Sequence, residues 1–338
     1  MPQLASDGLG EPQVTYRKTT KNCAQLDYVS SIGLAGIVCS LTFIVAQYYV
    51  SGDPVVYRQY YSAVSTLGLD EGYRYYLSTT GGTEPIYFLL TWMVSRFCEK
   101  DLFDAILNGI LVVLGLRYLN KGRVHWILIP ALLMNFYILV LFFSADRLKL
   151  GFIIYLWGVV LGGRSGFVLS ATSVFAHLQM AVPVALYGIF KISHLPPRRA
   201  LFSLSAGVAV ILATLVFLPV EVSESIKGKF DFYNSNANAL VSSAKAMVFA
   251  ILILIYNYRQ PGSSLVFSII FVLLSILLGS DRVIMIAYFA FLHFALRVNN
   301  GLNAGVIVTS FYFTAKAGLF IYSVLTVGTA FPDVEFLN

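Results

Sequence analysis

The chain has 338 residues, 58% of them hydrophobic and only 12% charged, with a mean hydropathy of +0.76, which leaves too little polar surface to cover a soluble globule of this size. Its formal net charge of +6 would suit a nucleic-acid partner, but the basic residues stand singly or in pairs between apolar runs, the pattern of loops in a membrane protein. Cys23, Cys39 and Cys98 have no CxxC spacing and cannot all pair, so neither a disulfide framework nor a thiolate metal site is supported.

The polar tail 1–28 leads into Val29–Val50, an apolar run without a small-residue cleavage site, which reads as a first anchor helix rather than a removed signal peptide. The next connection, 51–83, carries Asp53, Arg58, Asp70, Glu71 and Arg74 among Tyr57, Tyr60, Tyr61, Tyr73, Tyr75 and Tyr76. Aromatics interleaved with charged groups suit sugars, since ring faces stack on C–H patches while the charged groups hold hydroxyls; the same tyrosines also fit an interfacial belt. Asp53, just past the first crossing, and Glu84, beside Pro85, are the sharper carboxylates for taking a proton from a sugar hydroxyl. Stretch 84–98 is short for a crossing and is expected at, or dipping into, the outer surface.

Apolar runs at 102–118, 124–143, 148–162, 165–180, 182–195, 201–219, 239–257, 263–279, 282–297 and 302–327 join 29–50 to give about eleven expected crossings of a hydrocarbon core roughly 30 Å thick. The predicted fold is thus an all-α polytopic transmembrane bundle, a single domain over 29–327 with outer loops 51–83 and 220–238 and a C-terminal tail 328–338. Arg17, Lys18, Lys21, Arg117, Lys121, Arg123, Arg164, Lys191, Arg198, Arg199, Arg259 and Arg297 then fall on one side, which places the N-terminus in the cytoplasm. The three runs between 148 and 195 are short for full crossings, and helices of that kind are tolerated beside protein or a water-filled cavity, so a polar cleft is expected in the outer leaflet.

Two similar turns, Ser144-Ala145-Asp146-Arg147 and Gly279-Ser280-Asp281-Arg282, are each expected to end one apolar helix and open another on the outer side. An arginine in the first turn of a helix adds a planar fork to free backbone N–H groups and the positive dipole end, a combination suited to a diphosphate. Each Asp capping its helix and pairing with its Arg is the plainer alternative. His177, near the outer end of 165–180, suits a general base or a phosphate ligand, and equally a packing role. Lys245 and Lys316 fall inside apolar runs, where a charge usually faces a cavity or the bundle interior. No histidine pair has zinc-ligand spacing, and no Walker loop, GxGxxG or HExxH occurs, so no metal and no cofactor is expected.

The order of Gly52-Asp53 with Tyr57, Glu84-Pro85, Arg147 after an aromatic helix, a basic turn at Arg164 and then Phe175-Ala176-His177 resembles the EpsG-like, Wzy-type polysaccharide polymerases, over roughly residues 50–200. The family commonly has an aromatic where this chain has Pro54, and Phe-His-x-Ser where it has Ala176-His177-Leu178-Gln179. The resemblance implies transfer of a growing glycan from undecaprenyl diphosphate to a lipid-linked repeat unit, at the outer face of the bacterial inner membrane. It implies diphosphate binding by Arg147 and Arg282, a base among His177, Asp53 and Glu84, and sugar contacts by Tyr57, Arg58 and Arg74. Implied partners are the lipid-linked glycans, the bilayer, a chain-length regulator and a flippase. An O-antigen ligase or other lipid-linked glycosyltransferase, a transporter or flippase, and a non-catalytic scaffold remain as alternatives.

Overall fold

The computed structural model describes residues 27–192, 239–257 and 281–330, with isolated positions between 264 and 272. The expected crossing 201–219, most of 263–279, the outer loop 220–238, His194, Arg198, Arg199 and the Asp281 side chain lie outside the described residues, as do most of the N-terminal tail and the C-terminal tail from 331.

Among the described residues the regular structure is helical. In chain order the helices are α1 (Tyr28–Ala46), α2 (Asp53–Val64), α3 (Leu69–Thr80), α4 (Pro85–Val94), α5 (Lys100–Lys121), α6 (Ile129–Leu133), α7 (Phe136–Phe143), α8 (Asp146–Leu161), α9 (Gly163–Thr172), α10 (Ala181–Ile192), α11 (Ala239–Tyr256), α12 (Asp281–Ala295) and α13 (Ala304–Val327). By length and composition, α1, α5 and the stretch Val298–Val327 are long and apolar enough to cross a membrane; the pair Trp126–Leu133 and Phe136–Phe143, bent by 51°, makes a fourth if taken as one span. Among the described residues this corrects the expectation of about eleven crossings to three or four candidates. A hydropathy run cannot tell a spanning helix from a shorter one packed inside the bundle, and α8, α9, α10 and α12 are 16, 10, 12 and 15 residues long.

The bend between α6 and α7 has a local cause. Asn135 leaves the helical region and caps α7, its side-chain oxygen accepting from Tyr137 N at 3.0 Å, while its amide donates to the Tyr288 hydroxyl at 2.8 Å. At the other end of α8, Gly162 and Gly163 both have positive φ, which lets the chain reverse tightly into α9.

α1 lies along α5, α5 against α8, α8 against α9, α11 against α12, and α13 against α6 and α7. One apolar core runs through α5, α7, α8, α12 and α13. Outward faces are also apolar, with Ile37, Leu41 and Ile44 exposed on α1 and Val308, Phe311, Leu319 and Tyr322 on α13, as helices surrounded by hydrocarbon would be.

The expected polar loop 51–83 is instead two helices, α2 and α3, which fold with α4 over a second cluster of Tyr57, Tyr60, Val64, Tyr76, Tyr87 and Phe88. Tyr57, Tyr60, Tyr61 and Val64 share one face of α2 at helical spacing and bury it. Most of the tyrosines proposed to stack on sugars, Tyr57 included, are therefore core, with ring faces occupied by other rings.

Candidate functional site

The centre of the site is the Glu84 carboxylate, at the N-terminal boundary of α4 and only 5% exposed. Its Oε2 accepts from Arg147 Nη1 at 2.9 Å, from the Tyr76 hydroxyl at 2.9 Å and from Thr83 N at 2.8 Å. Its Oε1 accepts from His177 Nδ1 at 3.0 Å. A carboxylate held by a guanidinium stays ionised and only accepts, so Nδ1 carries a proton. Nε2 faces the Gln179 side-chain oxygen at 3.2 Å, and its lone pair becomes available to a ligand when that amide turns or is displaced. Glu84, expected as a base, is already fully engaged; it orients His177 and Arg147 instead.

Arg147 stands in the first turn of α8, as its sequence context predicts, but its partner is not the neighbouring aspartate. Nε donates to the Tyr57 hydroxyl at 2.8 Å and Nη1 to Glu84. Among the described residues Nη2 makes no hydrogen bond, and the side chain keeps 9% exposure. One edge of the fork thus carries no protein partner among the described residues. Ala145 precedes the helix without a side-chain cap, and Asp146 turns away to Lys100.

Arg282, in the first turn of α12, reaches Asp53 at 3.7 Å. Asp53 and Tyr57 are four residues apart on α2 and so lie on one face. That face receives Arg282 at Asp53 and Arg147 at Tyr57, which brings the two expected arginines to one place. Both positive charges also reach the His177 imidazole.

The electrostatics follow from burial. Surrounding protein pushes the half-exposed Asp53 carboxyl above its ordinary value, against the pull of Arg282 and then Arg147. Burial likewise raises the Tyr57 hydroxyl, with the two arginines opposing. Tyr76 is held well above the usual phenol range, first by burial and then by the charge of Glu84, so it remains a donor to that carboxylate.

Other expected residues lie elsewhere. Arg58 is a structural tie: Nε donates to Asp101 at 2.9 Å, Nη1 to Tyr49 O at 2.7 Å and Nη2 to Ala46 O at 2.5 Å, which fastens the end of α1 to α2 and α5. Arg74 pairs with Asp70 on the exposed face of α3. The structure thus places Arg58 and Arg74, both expected at sugar, away from the Glu84, Arg147 and His177 group. Lys245 is on an exposed face of α11, and Lys316 Nζ stands 3.9 Å above the Phe136 ring. His293 Nδ1 shares a hydrogen bond of 2.5 Å with the Tyr118 hydroxyl, and His125 accepts from Ile127 N. Among the described residues no three His, Cys, Asp or Glu side chains are arranged to hold a metal ion.

Sequence reasoning passed over two sets of residues. Gly82 lets the backbone pass against Tyr76 and Arg147: a Cβ there would stand 2.2 Å from the phenolic oxygen and 2.6 Å from Nη1. Beneath α8, Lys100, Asp104, Asp146 and Lys149 form a buried charge cluster. Its signal was present, since a lysine and an aspartate at i,i+4 open α5 and an aspartate and a lysine at i,i+3 open α8. No family model, no curated protein and no solved structure matches the chain.

Proposed function

We propose that the chain is an integral membrane glycosyltransferase of the polysaccharide-polymerase type, which moves a growing glycan from undecaprenyl diphosphate to a lipid-linked repeat unit. The observation that carries this reading is the convergence of Arg147 and Arg282 on one face of α2, with Glu84 joining Arg147 to His177. In this reading the chain lies in the bacterial inner membrane, with α2, α3 and α4 on the outer side and the short helices α8, α9 and α10 completing the crossings around a cleft.

The acceptor hydroxyl attacks the anomeric carbon of the donor glycan, the bond from that carbon to the diphosphate oxygen breaks, and the hydroxyl proton passes to His177 Nε2. Undecaprenyl diphosphate leaves with the bonding pair. Charge grows on its bridging and terminal oxygens, where the Nη2 edge of Arg147 and an Arg282 released from Asp53 meet it; each preorganised donor of this kind contributes roughly 3–4 kcal/mol. His177 is set by Glu84 as a catalytic imidazole is set by its carboxylate partner, in the tautomer whose Nε2 takes the proton once the acceptor hydroxyl displaces the Gln179 side chain.

The test is the lipid-linked glycan profile of a deletion strain complemented with variants. A polymerase predicts single repeat units on the carrier in the deletion strain, and the same profile with Arg147→Lys or Arg282→Lys, which keep the charge but lose the planar fork. Full-length glycan that is merely detached from its acceptor points to a ligase, and long-chain glycan from both lysine variants rules out the diphosphate role.

A further inference from the structure

Asp146 and Arg147 are neighbours in the first turn of α8, so their side chains leave the helix about 100° apart. Arg147 faces α2 and α4, and Asp146 faces α5, where Lys100 Nζ donates to its Oδ2 at 2.6 Å. Lys100 also holds Asp104 one turn further along α5. Lys149 stands 3.5 Å from both aspartates and donates to Phe142 O at 3.1 Å, at the end of α7. Lys100, Asp146 and Lys149 are all buried. Two positive and two negative charges cancel, and the group ties α5, α7 and α8 together where α8 begins.

The ties are unequal. A cavity of about 20 Å³ borders Lys100, Asp104, Asn108 and Asp146, and the Oδ1 atoms of Asp104 and Asn108 have no hydrogen-bond partner. The unpartnered oxygens of the cluster are on the α5 side, at Asp104 and Asn108. Asp146 differs from Asp104 in its place, since it shares a helical turn with Arg147. Because α8 opens without a side-chain cap, the Lys100 to Asp146 pair takes over the work of fixing where the helix starts.

We propose that Lys100 and Asp146 are positioning residues for Arg147: their buried ion pair sets the register of α8 at which one guanidinium reaches Glu84 and Tyr57 and still leaves an edge for the leaving diphosphate. The diphosphate half of this inference rests on the function proposed above; the register half rests on geometry alone.

The experiment compares Asp146→Asn with Asp104→Asn, which remove equal charge from the same cluster. The full chain is labelled with ¹⁵N-histidine in lipid nanodiscs. Its four histidines are few enough for the His177 signal to be assigned by its loss in His177→Gln. Through Glu84, that imidazole reports where Arg147 stands. Binding of farnesyl diphosphate is measured on the same samples. The expected result is a shifted His177 resonance and at least about tenfold weaker farnesyl diphosphate binding in Asp146→Asn, the scale of one lost hydrogen bond between charged groups. In Asp104→Asn both stay at wild-type values. Where Asp146→Asn gives no folded protein, Asp146→Glu, which keeps the charge and adds a methylene, is read in the same way. Equal shifts in the Asp104 and Asp146 variants, or an unmoved His177 in the latter, overturn the positioning role. A wild-type chain that binds no farnesyl diphosphate, combined with a shifted His177 in Asp146→Asn, upholds the positioning role and overturns the proposed function.

Discussion

Gly82 is where one methyl group tests the site most directly. Its φ is not in the left-handed region, so alanine meets no backbone penalty there, and any effect of Gly82→Ala comes from contact with Tyr76 and Arg147. Lipid-linked glycan analysis is expected to show lost polymerisation at normal membrane content; unaltered chain length would mean that Arg147 can move without consequence. Glu84→Gln keeps the shape of the carboxylate but leaves Arg147 without its counter-ion, at a cost of about 3–5 kcal/mol for a buried pair broken on one side. A lowered unfolding midpoint in detergent is the readout. The double variant Glu84→Gln/Arg147→Met removes both charges and is expected to recover most of that midpoint while activity stays absent, which separates the stability role of the pair from its chemical one. At this scale the sequence exposed Arg147, His177, Glu84, Asp53 and Arg282 as residue types in costly places. It did not expose how they pair, since Glu84 lies 63 residues from Arg147 and 93 from His177. The adjacent Asp146 was the natural partner to infer for Arg147, and the buried Lys100 claimed it instead.

The pairing of α8 with α9 carries His177 into position, because the chain runs from α9 through the single turn Ser173–Phe175 to the imidazole. The two helices touch backbone to backbone: a Cβ on Gly158 would stand 2.3 Å from Gly166 O and 2.5 Å from Ser170 N. Gly158→Val therefore drives α9 away from α8. The expected cost is about 1–3 kcal/mol of overpacking, read as a lower unfolding midpoint, together with loss of polymerisation as His177 is pulled from Glu84. Unchanged activity in a destabilised Gly158→Val protein would show that His177 is positioned from its α10 side. The break between α8 and α9 was legible in the sequence as the boundary between the apolar runs 148–162 and 165–180. The α2 and α3 helices were not: a tyrosine-rich polar run has weak hydropathy, and its helical spacing shows only once Tyr57, Tyr60, Tyr61 and Val64 are seen to share a face. Arg58 is a similar case. Its partners Ala46 O, Tyr49 O and Asp101 come from two other helices, and two of the three are backbone oxygens that no side-chain pattern announces.

Across the whole molecule, composition alone specified an all-helical chain that needs an apolar surrounding, because 58% hydrophobic residues cannot all be buried in 338 positions. Composition could not count the crossings. The run 124–143 is one hydropathy peak yet two helices, split at Asn135, and the runs between 148 and 180 break into α8, α9 and two 3₁₀ turns. Orientation rests on lysine and arginine placement and makes a prediction about the intact cell. Cys23, Cys39 and Cys98 are replaced by Ser, and single cysteines are then placed at Glu71 on the exposed face of α3 and at Arg123 after α5. A membrane-impermeant maleimide is expected to label Glu71→Cys in intact cells and Arg123→Cys only after permeabilisation. α5 is 22 residues, or roughly 33 Å, long enough to hold its two ends on opposite sides of the hydrocarbon. The reverse labelling pattern would put Arg147 and His177 in the cytoplasm, where a glycan already carried across the membrane never meets them, and the polymerase reading would fall with the orientation.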